Sequence, residues 1–234
     1  MKPRQFSTHG IVLTRTDYQE ADRIITFLTP THGKIRAIAK AVRKSQSKLA
    51  GGIELFSISH LTFVKGRGEL YTMISSRLDK YYGHIVKDIG RTQAAYELLT
   101  QINKATEDSP ESGYFDVLHQ GLAAFDNPSV GLPVIQLWVQ LRLLELAGHP
   151  PDLQNGPDGQ KLAPAKSYNF DFERMGFAPA NAAKGRFDTD DVKFMRLAAT
   201  AAHPQNLARI DGATTFAQKA EPLVQTLLKS FVRQ

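Results

Sequence analysis

Five short runs rich in β-branched and aromatic residues, "GIVLTRT", "RIITFLT", "KIRAIAK", "FSISHLTFV" and "ELYTMISSRL", lie between Gly10 and Leu78. Each reads as a strand, because such side chains fit a pleated, half-buried surface. Turn residues separate them: "PTHGK" around Gly33 and "KGRGE" around Gly66 and Gly68 read as tight hairpins, and "SKLAGG" as a looser link. Strands this short, joined by hairpins with a longer link after the third, fit a small closed barrel, since closure removes exposed sheet edges. An OB-type barrel is expected, with an SH3-like barrel as the close rival.

From Ile85 onward the period changes. "TQAAYELLTQINKA" puts Ala95, Leu98, Leu99 and Ile102 on one helical face, and "GYFDVLHQGLAAF" does the same with Phe115, Leu118, Leu122 and Phe125. "LPVIQLWVQLRLLELAGHPP" has Pro133 near a helix start and Gly148 where a C-cap falls, with Pro150 and Pro151 to stop it; apolar nearly all round, it reads as the central helix of a bundle. Residues 150–187 break the helical order with several Pro and Gly. Helices resume at "DTDDVKFMRLAATAA", with Asp188 or Thr189 as N-cap, and at "FAQKAEPLVQTLLKSFV", which Pro222 is expected to kink or divide. The expected class is α+β: a barrel over 1–84, then a helical domain over 85–234 carrying a small irregular insert.

Charge is unevenly placed. Residues 1–84 hold 14 Lys and Arg against 6 Asp and Glu, whereas 85–234 hold 15 against 17. From Arg23 to Ile53 there is no acidic side chain, while Lys34, Arg36, Lys40, Arg43, Lys44 and Lys48 gather in "GKIRAIAKAVRKSQSKLAGG". On a strand, Lys34, Arg36 and Lys40 point to one face and Ile35, Ala37 and Ala39 to the other. Arg43, Lys44 and Lys48 continue the row into the following loop. Such a row suits a phosphate backbone, since each cation that neutralises a phosphate releases condensed counterions. Arg15, Arg77, Lys65 and Arg67 would extend the face, and Tyr18 and Tyr71 are candidates for base stacking. The plainer reading is a solvated strand edge, where lysines discourage aggregation.

Signals for catalysis are weak. No phosphate-binding loop, nucleophile elbow or zinc-protease motif occurs, and histidines 9, 32, 60, 84, 119, 149 and 203 are scattered without ligand spacing. Asp17, Glu20 and Asp22 are close in sequence, which a polar loop between strands explains. With no cysteine there is neither a disulfide nor a thiolate metal site. No catalytic residue, metal site or cofactor is expected. The opening "MKPRQFSTHGIVLTR" lacks the apolar run of a signal peptide, and Val134 to Ala147 is too short to span a bilayer. A cytosolic location is the default.

The N-terminal region resembles the RecO family of bacterial recombination mediators. The resemblance rests on "GIVLTRTDYQEADRIITFLTPTHGKIRAIAKAVRKSQSKLAGG", on the later "GRGELY", and on "LWVQLRLLELAGHPPDL", which is similar to the family's long helix. It covers most of residues 9–78 and 137–153. Two departures stand out: Ala41 replaces the glycine of the family's usual Ala-Lys-Gly, and the segment from Asp152 to Phe177 has none of the cysteines that many members use for zinc. Leu162, Tyr168, Phe170, Phe172 and Phe177 would then hold the insert.

The resemblance implies an OB-fold followed by a helical domain, and a non-enzymatic activity. That activity is binding single- and double-stranded DNA and annealing strands coated by single-strand-binding protein. With the partner RecR, it assists RecA loading at the bacterial nucleoid. It also implies docking of the single-strand-binding protein's acidic, aromatic-ended C-terminal tail on the helical domain, for which Trp138 and Arg142 are candidates. Arg142 has an alternative use, pairing with Glu145 one turn on. Two other readings of the chain are an OB-fold RNA-binding factor and a hydrolase using Asp17, Glu20 and Asp22.

Overall fold

The computed structural model describes residues 5–66, 68–106, 112–180 and 185–231. Strands β1 (Gln5–Tyr18), β2 (Asp22–Thr29), β3 (Gly33–Ala39), β4 (Ser57–Lys65) and β5 (Tyr71–Tyr81) form a closed barrel in the order β1-β2-β3-β5-β4. All neighbours are antiparallel except β3 and β5, which meet in parallel at Ala37–Tyr71 and Ile38–Thr72. This is the OB-type barrel the turn pattern predicts.

Strand β3 alternates as expected. Ile35, Ala37 and Ala39 enter a core with Val12, Ile25, Phe27, Val42, Ile53, Leu61, Phe63 and Met73, while Lys34, Arg36 and Ile38 stand outward. Each large apolar side chain so buried stabilises the barrel by roughly 1.5–3 kcal/mol. Gly33 closes the β2–β3 hairpin at φ 61°, a conformation that side chains with a Cβ resist. A 3₁₀ turn at Ala50–Gly52 then seals the barrel below β5, where Ser76 Oγ donates to the Leu49 carbonyl at 2.8 Å.

By contacts the chain divides into two compact units, Met1–Asn127 and Pro128–Arg233. The first holds the barrel and two helices, α1 (Ile89–Ala105) and α2 (Ser112–Phe125). Strands give way to helices between Tyr81 and Ile89, near the expected change at 84–85, but the compact unit runs on to Asn127. The predicted apolar faces are buried: Ala95, Leu98, Leu99 and Ile102 in α1, and Phe115, Leu118, Leu122 and Phe125 in α2.

The second unit holds α3 (Leu132–Leu146), a two-stranded hairpin of β6 (Tyr168–Asp171) and β7 (Gly176–Pro179), α4 (Thr189–Thr200), the single turn α5 (Pro204–Leu207) and α6 (Ala213–Phe231). Helix α3 is buried almost all round, as its apolar run requires. It ends where Gly148 turns to φ 80° and its N–H, with that of His149, returns to the last-turn carbonyls. Asp188 caps α4 in a reciprocal box with Asp191. Pro222 does not divide α6: the helix runs through it unbroken.

The insert is organised by rings and carboxylates. Phe177 is fully buried and meets Phe170 and Phe187 edge-on at 5.3 and 5.4 Å. Tyr168 and Leu162 are also buried, but Phe172, expected to help fill this small core, is 52% exposed at the tip of the β6–β7 hairpin. Asp152 Oδ1 accepts the backbone N–H groups of Gln154 and Asn155, both at 2.9 Å, and Asp171 Oδ1 accepts those of Glu173 and Arg174. Two carboxylate-closed turns thus brace the hairpin.

Candidate nucleic-acid interface

The ten cations expected to form one face separate into three groups. Arg36, Lys40, Lys44 and Lys48 are exposed on β3 and the loop after it, and among the described residues no acidic side chain pairs with them. They stand four residues apart along the chain. The second group is committed elsewhere. Lys34 Nζ donates to the carbonyls of Asn103, at 2.9 Å, and of Thr106, at the C-terminus of α1. Arg15 Nη1 donates to the Ile53 carbonyl and to Glu54 Oε2, both at 3.2 Å. Arg43 lies 3.6 Å from Asp17 Oδ2. Lys34 and Arg15 fix local structure before they meet any ligand, whereas Arg43 stays exposed beside Asp17.

Lys65, Arg67 and Arg77 make up the rest. Lys65 ends β4 with its ammonium 5.8 Å from the centre of the Tyr71 ring. Arg77 is exposed opposite His60 on β4, beside Ser76, whose hydroxyl bonds the carbonyl of Leu49. Arg67 lies outside the described residues.

Asp17, near the end of β1, and Asp22, at the start of β2, serve local structure. Arg23 Nε donates to Asp17 Oδ1 at 2.7 Å, and this bond, with the charge of Arg43, holds the Asp17 carboxyl below its usual range. Asp22 Oδ1 accepts the N–H of Ala41 at 2.7 Å. That bond holds Ala41 at φ 53°, in the left-handed region where glycine is favoured. The Ala41 side chain sits there at a steric cost.

A cleft of about 650 Å³ opens at the end of the barrel between the β2–β3 turn and the β4–β5 hairpin, lined by His32, Lys34, Arg36, Lys65, Glu69 and Tyr71 among others. A second cavity of about 330 Å³ shares His32, Lys65 and Tyr71 with it and reaches Phe6. The Phe6 and His32 rings stack with centroids 4.4 Å apart, and Phe6 meets Tyr71 edge-on at 5.5 Å. Of these rings only Tyr71 was legible as a candidate. Phe6 and His32 stand 26 positions apart in the chain, and closure of the barrel brings them together. Tyr18, the other stacking candidate, is 42% exposed at the far end of β1.

In the second unit, Trp138 is not a surface platform. Its indole is 2% exposed, and Nε1 donates to the Ala201 carbonyl at 2.8 Å. Arg142 Nη2 donates to the same carbonyl at 3.0 Å while Nη1 pairs with Glu145. The pairing with Glu145 is therefore made, and Arg142 alone of the two side chains reaches solvent, 22% exposed. Among the described residues, no helix is long and apolar enough to cross a membrane.

Comparison with known proteins agrees with this fold. The family description "Recombination protein O N terminal" matches residues 1–82, the whole barrel. The chain is similar to proteins named DNA repair protein RecO in three bacteria. It is 30% identical to that of Dehalococcoides mccartyi over 169 residues, covering 71% of this chain and 66% of that protein. It is 34% identical to that of Moorella thermoacetica over 161 residues, covering 65% and 56%. It is 34% identical to that of a Roseiflexus species over 154 residues, covering 65% and 53%. The chain thus spans between about half and two thirds of the length of the relatives it matches. With the barrel matched from end to end and the similarity running on into the helical region, the chain belongs to the RecO family.

Proposed function

We propose that this protein binds DNA through the outer side of β3 and the loop that follows it, and anneals complementary strands in recombinational DNA repair. The observation that carries the reading is the row of Arg36, Lys40, Lys44 and Lys48, exposed and without acidic partners among the described residues, on an OB-type barrel. A basic face on such a fold is the electrostatic footprint of a nucleic-acid binder. Annealing needs no catalytic residue: a cationic surface that holds two strands lowers their repulsion and raises their local concentration. The protein acts without chemistry of its own.

Family membership supports the wider role: work on strands coated by single-strand-binding protein, with RecR, in assisting RecA loading. Of the two residues considered for the acidic tail of single-strand-binding protein, Arg142 supplies the accessible cation, and Trp138 holds the helix that presents it. Annealing of complementary strands, bare and coated, measured with and without the protein, tests the reading. Faster annealing of coated strands is expected. No acceleration on either substrate would contradict it. Weaker binding to DNA than to RNA of the same sequence would favour an RNA-binding role instead.

A further inference from the structure

We propose that the cleft between the β2–β3 turn and the β4–β5 hairpin receives one unpaired nucleobase, with His32 as the stacking face, Tyr71 at the edge of the base, and Arg36 and Lys65 at the flanking phosphates. This rests on the DNA-binding reading and adds to it a site for a base, where the β3 row contacts only backbone.

The rings are set before any ligand arrives. Phe6 lies against His32 with 25° between the planes, and His32 is itself exposed, so the imidazole is backed on one side and open to the cleft. Phe6 also holds Tyr71 by an edge contact at 84°, and Phe63 braces Tyr71 from the core at 6.3 Å. Stacking a base on a ring already fixed costs little ordering of the protein. The cleft volume of about 650 Å³ falls within the roughly 300–1,000 Å³ typical of sites that enclose small-molecule groups.

The charges suit a nucleotide. Arg36 belongs both to the cleft lining and to the exposed row, so a strand lying along Lys40 and Arg36 reaches the cleft without a break. Lys65 stands over Tyr71 on the other side. Glu69 lines the same cleft. A carboxylate there repels a phosphate as it does an acidic peptide tail, but it accepts a hydrogen bond from the exocyclic amino group of a base. A base stacked inside a duplex cannot enter, so the cleft distinguishes single strands from duplexes.

The test compares the full chain with His32→Ala, using a short oligonucleotide carrying 2-aminopurine, the same sequence as a duplex, and an acidic peptide ending in an aromatic residue. Loss of one stacked base predicts about a tenfold fall in single-strand affinity, with duplex affinity changed by less than about twofold. The 2-aminopurine emission should be quenched by the native protein and not by the variant. His32→Phe should restore both the affinity and the quenching. Equal loss on single strand and duplex, or no loss on either, would overturn the proposal. So would peptide binding by the native protein that His32→Ala abolishes, since the cleft would then hold a protein segment. Failure of the native protein to bind any DNA would defeat the DNA-binding reading itself, whereas an intact β3 row with an inert cleft would defeat only this one. His32 is exposed, and an unchanged melting temperature confirms that each variant is folded.

Discussion

Lys34 Nζ donates to the Asn103 carbonyl at 2.9 Å, tying the first cation of β3 to the end of helix α1, 69 residues away in sequence. A cation at a helix C-terminus complements the dipole and satisfies carbonyls that have no partner in the helix. Lys34→Met should therefore lower stability by about 1–3 kcal/mol, the scale of a charged hydrogen bond lost from a partly buried site. DNA affinity should fall less than in Arg36→Ala. Chemical denaturation and titration of the two variants decide the matter. A Lys34→Met protein of native stability and weakened DNA binding would return Lys34 to the DNA-contacting row.

Ala41 sits at φ 53° with its N–H on Asp22. An L-residue pays roughly 1–2 kcal/mol in this region, and glycine gives back about 0.5–1 kcal/mol through its freer unfolded chain. Ala41→Gly should raise stability by about 0.5–1 kcal/mol without altering DNA affinity. Thermal melting measures this directly, and a lower melting point would mean that the left-handed conformation costs alanine nothing here.

Trp138 and Arg142 converge on the carbonyl of Ala201, at the C-terminus of α4. Trp138→Ala empties a buried site and should destabilise the protein by about 3–5 kcal/mol. Any loss of tail-peptide binding in that variant would reflect unfolding. Arg142→Gln is the cleaner probe: peptide affinity should fall while DNA affinity holds. Near-native stability for Trp138→Ala would show that the indole is not part of the core.

The insert should loosen in acid. Burial pushes the Asp152 carboxyl upward, but the N–H and side-chain amide of Asn155, the N–H of Gln154 and the charge of Arg196 outweigh it, and the net shift is below the ordinary 3.8. A depressed folded value means that the contribution is present above the unfolded value and is lost as the pH falls through the folded one. Asp188 is lowered in the same sense, chiefly by the N–H of Asp191. Ring resonances of Phe170 and Phe177, followed by NMR as the pH falls below 3.8, should broaden in the native protein. In Asp152→Ala they should be broadened already at neutral pH. Resonances that stay sharp in both cases would show that the rings alone hold the insert.

Much of the barrel was legible because its information is local. The alternation of Lys34, Ile35, Arg36, Ala37 sets which face of β3 is wet, and "PTHGK" names its own hairpin. The partners were not local. Nothing near Lys34 announces the carbonyls of residues 103 and 106, and nothing near Phe6 announces His32. Helix α3 is apolar all round, which says that it is buried but not which side faces a neighbour. A tryptophan beside an arginine on such a helix reads equally as a docking platform or as core. The same ambiguity misplaced Phe172, since a run of aromatics in a short hairpin does not tell which ring ends at the tip.

The most direct measurement is DNA titration across a range of salt concentrations, comparing the native protein with the variant in which Arg36, Lys40, Lys44 and Lys48 are all alanine. The account predicts a uniform loss of affinity whatever the base sequence, because these side chains meet phosphates. The salt dependence should become shallower by about 0.7 log units per lost contact on single strands and about 0.9 on duplex. Stability should hardly change, since all four side chains are exposed. Affinity and slope both equal to those of the native protein would contradict the account and leave the acid-free stretch as a solvated edge of the barrel.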